Sequence, residues 1–155
     1  MEVAGLVFDA ANFFHVGILA CIFGAVVGMA LGVFAALHRN TIWDSISTII
    51  SVLGVSIPSF VFALLILMLF GVKLHWLPTI YNSSQMLYSS ILPVLALSMS
   101  VIANVARFTR TEMIGVLGSE YMTLAKAKGL DRKTLIFRHA LRNALIPVIT
   151  ILGPI

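Results

Sequence analysis

Three long stretches of the chain contain no charged side chain. Residues 16–37, 45–70 and 89–106 lack Asp, Glu, Lys and Arg throughout and are 18 to 26 residues long. A helix needs roughly 20 apolar residues to cross the hydrocarbon core of a bilayer. Lipid offers the backbone no hydrogen-bond partner, so a span must be a helix or part of a closed barrel. These stretches do not alternate polar and apolar residues as barrel strands do, and the pattern therefore predicts an all-α, polytopic membrane protein.

This pattern, with its flanking residues, divides the chain into eight segments. The predicted membrane helices are residues 13–37, 45–70 and 89–110, with the start of another at 144–155. The connecting segments are residues 1–12, 38–44, 71–88 and 111–143. The composition agrees, because 60% hydrophobic residues, 10% charged residues and a mean hydropathy of +1.06 are typical of membrane proteins.

The positive charges predict which segments face the cytoplasm. Of the ten Lys and Arg residues, only Lys73 lies between the second and third uncharged stretches, Arg39 follows the first, and the other eight follow the third. Cytoplasmic loops carry an excess of Lys and Arg. Segments 38–44 and 111–143 are therefore predicted inside, and segments 1–12 and 71–88 outside. This topology explains the net charge of +4, so no nucleic-acid partner is expected.

The same topology leads us to expect that the chain is a fragment. Segment 1–12 carries Glu2 and Asp9 and no positive charge, so it lacks the basic start of a signal peptide. An outside start implies an upstream span. The 16 residues from Ala140 to Ile155 would form a helix of about 24 Å, which is shorter than the membrane.

The first span carries small residues at a strict four-residue spacing. Residues four apart share one helix face, where small side chains let another backbone come close. We expect a packing face here, either between subunits or within one subunit. Its members are Ala20, Gly24, Gly28, Gly32 and Ala36.

The second and third spans contain polar residues and a proline. Pro58 removes one helical hydrogen bond, which predicts a kink near the middle of the membrane. Hydroxyl and amide groups near it and in the third span either line a translocation path or bond to neighbouring helices. The candidates are Ser56, Pro58, Ser59, Ser100 and Asn104.

The cytoplasmic segment predicts two amphipathic helices joined by a tight corner. Ser119 can cap a helix that begins at Glu120, and Gly129 can end it in the left-handed conformation. Asp131 can cap the next helix, and Leu130 places an apolar side chain at the tip. The segment either binds a protein partner or lies as a basic helix pair on anionic lipid.

Specific motifs in this segment resemble a known family. The run EYMTLAKAKGLDRKTLIFRHALRNALIP, residues 120–147, is similar to the coupling segment of ABC-importer permeases, within the oligopeptide, dipeptide and nickel branch. The runs LGVSIPSFV, residues 53–61, and WLP, residues 76–78, resemble the first of that branch's two permeases. Thr123-Leu124-Ala125 replaces the Glu-Ala-Ala of the wider family, as in the peptide branch.

The resemblance implies part of a type I ABC-importer permease fold in a bacterial inner membrane. It implies a subunit that couples closure of two ABC ATPase subunits to alternating access, with a second permease subunit and an extracytoplasmic solute-binding protein. The solute would be an oligopeptide or dipeptide sooner than nickel. The ATPase-coupling residues would be Glu120, Ala125, Ala127, Lys128, Gly129, Leu130 and Asp131.

The chain itself is not expected to be an enzyme. It has no GxxxxGK[ST] phosphate loop, and we expect no catalytic residue, cofactor or metal. The complete spans lack the ionisable pairs that ion-coupled carriers use. The alternatives are a fragment of an ion-coupled secondary transporter and a membrane scaffold that transports nothing.

Overall fold

The computed structural model describes the backbone of residues 2–80, 82 and 85–152, and the side chains of residues 13–80, 82, 85–131 and 133–150. This part of the chain is helical and contains no strand. Residue 1, residues 81, 83 and 84 of the predicted outer loop, and residues 153–155 of the predicted last span lie outside it. The helices are α1 (Glu2–Leu37), α2 (Ile42–Ser56), α3 (Ser59–Ile66), α4 (Met86–Leu117), α5 (Glu120–Ala127), α6 (Arg132–Thr134) and α7 (Leu141–Leu152).

Two stretches of π-helix extend these elements. Leu67–Lys73 continues α3, and Leu135–Ala140 joins α6 to α7. A π-helix bonds each N–H to the carbonyl five residues back. The N–H of Leu141, for example, donates to the carbonyl of Ile136. Side chains after such a stretch therefore point in directions that a 3.6-residue period does not predict.

Two described helices are long and apolar enough to cross a membrane, namely Phe13–Leu37 and Met86–Leu117. They correspond to the first and third predicted spans. The second of them is longer than predicted, because α4 continues seven residues beyond position 110 and includes Gly115. The helix ends at Leu117, and the N–H of the following Gly118 donates to the carbonyl of Ile114.

The predicted kink at Pro58 is a complete break. Helix α2 and the combined helix Ser59–Lys73 meet at an angle of 104°. Steric contact with a proline ring disfavours the helical conformation in the preceding residue. Ile57 is accordingly extended, with φ −83° and ψ 122°, and Pro58 becomes the residue that precedes α3. The chain therefore turns sharply here where a single bent helix was expected.

The small-residue face of α1 packs against α4 of the same chain. A Cβ atom added to Gly24 would lie 2.7 Å from the Cβ of Val101, and one added to Gly28 would lie 2.8 Å from that of Val105. Ala20 and Ala36 are also buried. This geometry favours packing within one subunit over a seam between subunits.

Helix α4 lies at the centre of the described fold, with α1, α2, α3 and α7 packed around it. Val101 and Val105 of α4 form a buried cluster with Val148 of α7. A second cluster lies where α1 and α4 meet the cytoplasmic segment. The segment that was predicted to be cytoplasmic is therefore connected to α1 and α4 through buried contacts.

Candidate functional site: the cytoplasmic coupling segment

The corner between α5 and α6 is built by backbone hydrogen bonds around Gly129. The N–H of Gly129 donates to the carbonyl of Lys126 at 3.0 Å, and that of Leu130 donates to the carbonyl of Ala125 at 3.4 Å. This pair of bonds is the Schellman motif, which requires a left-handed residue after the helix. Gly129 has φ +79°, as the sequence predicts. A Cβ there would meet no atom within 4 Å, so only backbone strain opposes a larger residue.

Asp131 begins the next helix, also as predicted. Its carboxylate accepts a hydrogen bond from the Thr134 N–H at 3.3 Å, which satisfies one of the free donors at a helix start. Hydrogen bonds from Thr134 hold the pKa of Asp131 below its usual value. A lowered pKa means that the ionised carboxylate favours the folded corner. This contribution is present above the unfolded pKa and disappears as the pH falls through the folded one.

Ser119 precedes α5, but its side chain does not cap that helix. Its hydroxyl donates to the carbonyl of Val116 at 2.7 Å, at the end of α4. The prediction that the Ser119 side chain caps α5 is therefore wrong. Because α4 runs on to Leu117, it leaves terminal carbonyls beside Ser119 that compete for the hydroxyl.

The inner face of the segment is anchored to α1 and α4. Met122 and Ala125 of α5 and Leu135 and Ala140 of the π-helical stretch are all at most 8% exposed. They pack with the buried side chains of Ala36, Met113 and Ala144. Alanine at position 125 leaves room for α5 to approach these helices, so this predicted coupling residue lies on the inner face.

The helical stretch after the corner buries a different residue from the one that a regular 3.6-residue period predicts. A regular helix would place Phe137 in the apolar stripe, but its side chain is 64% exposed. Leu135 is 4% exposed in its place. The π-helical hydrogen bonds over Leu135–Ala140 change the register, and no residue type in this run signals them.

The outer face of the segment is exposed and carries most of the predicted coupling residues. Leu130 is 38% exposed at the tip, and Leu124 is 64% exposed on α5. Phe137, in the π-helical stretch, is 64% exposed as well, so three large apolar side chains of this charged segment are open to solvent. Sequence reasoning identified Leu130 but did not identify Leu124 or Phe137 as exposed. The other predicted coupling residues on this face are Glu120, Ala127, Lys128, Gly129 and Asp131.

The described side-chain hydrogen bonds of the predicted path residues stay within single helices and join no two helices. The Ser56 hydroxyl donates to the carbonyl of Val52, and the Asn104 amide donates to the carbonyl of Ser100, each within its own helix. Ser59 and Pro58 are exposed at the break. Whether these residues line one path stays a prediction.

The described residues contain no group of three or more His, Cys, Asp and Glu side chains that could hold a metal ion. What the segment offers is a mechanical arrangement. The corner presents exposed side chains on one surface. Its other surface packs against α1 and α4. Such a segment can transfer a displacement from a partner to the membrane helices.

The chain is similar to curated proteins of one kind. It is 46% identical over 139 residues to the oligopeptide transport system permease protein OppB of Haemophilus influenzae, which covers 89% of this chain and 45% of that protein. It is 45% identical to OppB of Salmonella typhimurium, with the same coverage. The glutathione transport system permease protein GsiC of Escherichia coli is 42% identical over 136 residues, covering 88% of this chain and 44% of GsiC. The chain thus spans about half the length of these relatives.

A family model also matches the chain directly, over residues 28–154. The match includes α4, the corner at Gly129 and the second half of the small-residue face on α1. It therefore takes in both surfaces of the coupling segment and the helices to which the segment is fixed. The chain belongs to the family of binding-protein-dependent transport system inner membrane components.

Proposed function

We propose that this chain forms part of a permease subunit of an ATP-driven importer that carries oligopeptides or dipeptides across a bacterial inner membrane. The observation that carries the proposal is the two-faced corner, exposed at Leu130 and anchored through Met122 and Ala125. The family membership supports an importer that depends on a binding protein. The names of the relatives, oligopeptide and glutathione permeases, support a short peptide as the solute.

The energy for transport comes from partner subunits. One of two ABC ATPase subunits binds the outer face of the corner, and the other ATPase, a second permease and a solute-binding protein complete the importer. Closure of the ATPases on ATP displaces the corner. The buried contacts with Ala36 and Met113 pass this displacement to α1 and α4, which tilt as rigid bodies and alternate access to a central path.

The experiment that tests this proposal replaces Gly129 by Leu in the assembled importer. A leucine at φ +79° costs about 1–2 kcal/mol of backbone strain, so the corner changes conformation. We expect the variant to insert into the membrane normally but to lose ATP-dependent uptake of tritiated trialanine into proteoliposomes. Gly129→Asn is the matched control, because asparagine tolerates the left-handed region, and it retains uptake.

Three results would contradict the proposal. Normal uptake by the Gly129→Leu variant would remove the coupling role of the corner. Uptake by the unaltered importer that needs a proton gradient and no ATP would instead support an ion-coupled carrier. A complex that binds no ATPase and takes up no peptide would support the scaffold alternative.

A further inference from the structure

An ion pair joins two membrane helices at their cytoplasmic ends. The Nε and Nη2 atoms of Arg110 on α4 donate to the two carboxylate oxygens of Asp44 on α2, at 2.5 and 2.8 Å. This fork-to-fork geometry fixes orientation as well as distance. Asp44 is only 5% exposed, and the side chain of Arg110 is 29% exposed. The two residues are 66 positions apart in the sequence, so local patterns gave no indication of the pair.

The carboxylate is also held by its own loop. The N–H of Asn40 donates to Oδ2 of Asp44 at 3.1 Å. Asn40 adopts the left-handed conformation with φ 63°, which Asn tolerates better than most residues. The turn between α1 and α2 is therefore fixed to the same carboxylate that binds α4.

The ion pair is not the one place where α2 lies close to α4 in the described structure. Another close approach lies at Gly54, where an added Cβ would be 2.9 Å from the Cβ of Ala103. Gly54 lies ten positions after Asp44, which corresponds to about 15 Å of helix. Two attachments that far apart define the orientation of α2 relative to α4, whereas one alone would leave α2 free to pivot.

The neighbouring residue of α4 is fixed to α1 at the same level. A Cβ added to Gly32 would lie 2.6 Å from the Cβ of Thr109. Thr109 and Arg110 thus hold α1 and α2 respectively, two turns before α4 ends at Leu117. Any displacement that enters α4 from the coupling segment reaches this level first.

We propose that the Asp44–Arg110 ion pair is a positioning pair that carries the movement of α4 to α2 and, through α2, to the break at Pro58. The inference rests on the proposed function, since it concerns how the coupling movement spreads. Neither side chain touches the solute or the ATPase. The pair makes α2 follow α4 instead of sliding along it, so that the broken helix changes position at each ATPase closure.

The test measures trialanine uptake and ATP hydrolysis together in the reconstituted importer. For Asp44→Asn and Arg110→Gln we expect normal ATPase binding and hydrolysis, with uptake per ATP lower by about three- to thirtyfold. Arg110→Lys keeps the positive charge but cannot donate two parallel hydrogen bonds, and we expect an intermediate uptake per ATP. Exchange of the two charges, Asp44→Arg with Arg110→Asp, restores an ion pair but not the bond from Asn40, and we expect it to recover part of the uptake per ATP.

The matched control is Arg107→Gln, which removes an exposed arginine one turn earlier on α4 and leaves the ratio unchanged. Equal uptake per ATP in the single variants and in the unaltered importer would overturn the inference. Loss of the assembled complex in every variant, including Arg110→Lys, would also overturn it in favour of a purely structural pair. Failure of the proposed function is distinguishable, because the unaltered importer would then show no ATP-dependent uptake.

Discussion

Gly28 sets how closely α1 and α4 approach each other. A Cβ at this position would lie 2.8 Å from the Cβ of Val105 and 2.9 Å from the carbonyl oxygen of Ile102. The first contact is with a stiff β-branched side chain and the second with helix backbone, and neither can move easily. Between membrane helices, such close packing replaces the hydrophobic effect as the source of association.

A single methyl group at Gly28 should therefore destabilise the protein. We expect Gly28→Ala to lower the free energy of unfolding by about 1–3 kcal/mol, as overpacking does in close-packed interiors. The measurement is denaturant unfolding of the purified protein in mixed micelles. Gly17→Ala is the matched control, because an added Cβ there meets no atom within 4 Å. Equal stabilities of the two variants would mean that the α1–α4 interface is looser than these distances require.

At the scale of elements, the break between α2 and α3 is the largest departure from regular helix. It combines a proline with an extended residue before it, Ile57, at an angle of 104°. The N–H groups of Val61 and Phe62 both donate to the carbonyl of Pro58, so the new helix starts without a side-chain cap. The break thus follows from the local backbone rules of proline.

Replacing Pro58 by Ala should let α2 continue into α3. Spin labels at Ile49 and Leu65, both 58% exposed, report the angle as a distance. A continuous helix would place their Cα atoms about 24 Å apart, further than across the bend. We expect the label distance measured by pulsed electron resonance to increase in Pro58→Ala and to stay the same in the control Pro93→Ala. An unchanged distance in Pro58→Ala would assign the bend to packing against α4.

Features set by neighbouring residues were predictable from the sequence, whereas features set by distant residues or by irregular helix were not. The corner at Gly129 and the cap at Asp131 were predictable, because backbone rules within a few residues determine them. The exposure of Phe137 was not predictable, because it depends on π-helical hydrogen bonds that no residue type in this run indicates. The ion pair of Asp44 was not predictable either, because its partner, Arg110, lies on another helix.

At the scale of the whole molecule, α4 connects the features described above. It packs against α1 through glycines, against α2 through Gly54 and the ion pair, and against the coupling segment through Met113. A force on the corner can therefore reach each of the described helices α1, α2, α3 and α7 through α4. In our account the partner that supplies this force is an ABC ATPase bound at the outer face.

The most direct test is photo-crosslinking from that face in the assembled importer. Benzoylphenylalanine in place of Leu130, at the exposed tip of the corner, should form an adduct with the ATPase subunit. The same group in place of Ile22, which is 58% exposed on α1 within the membrane, should form none. An ATPase adduct from position 130 alone is the predicted result. Its absence from position 130, in an importer that still takes up peptide, would contradict the account.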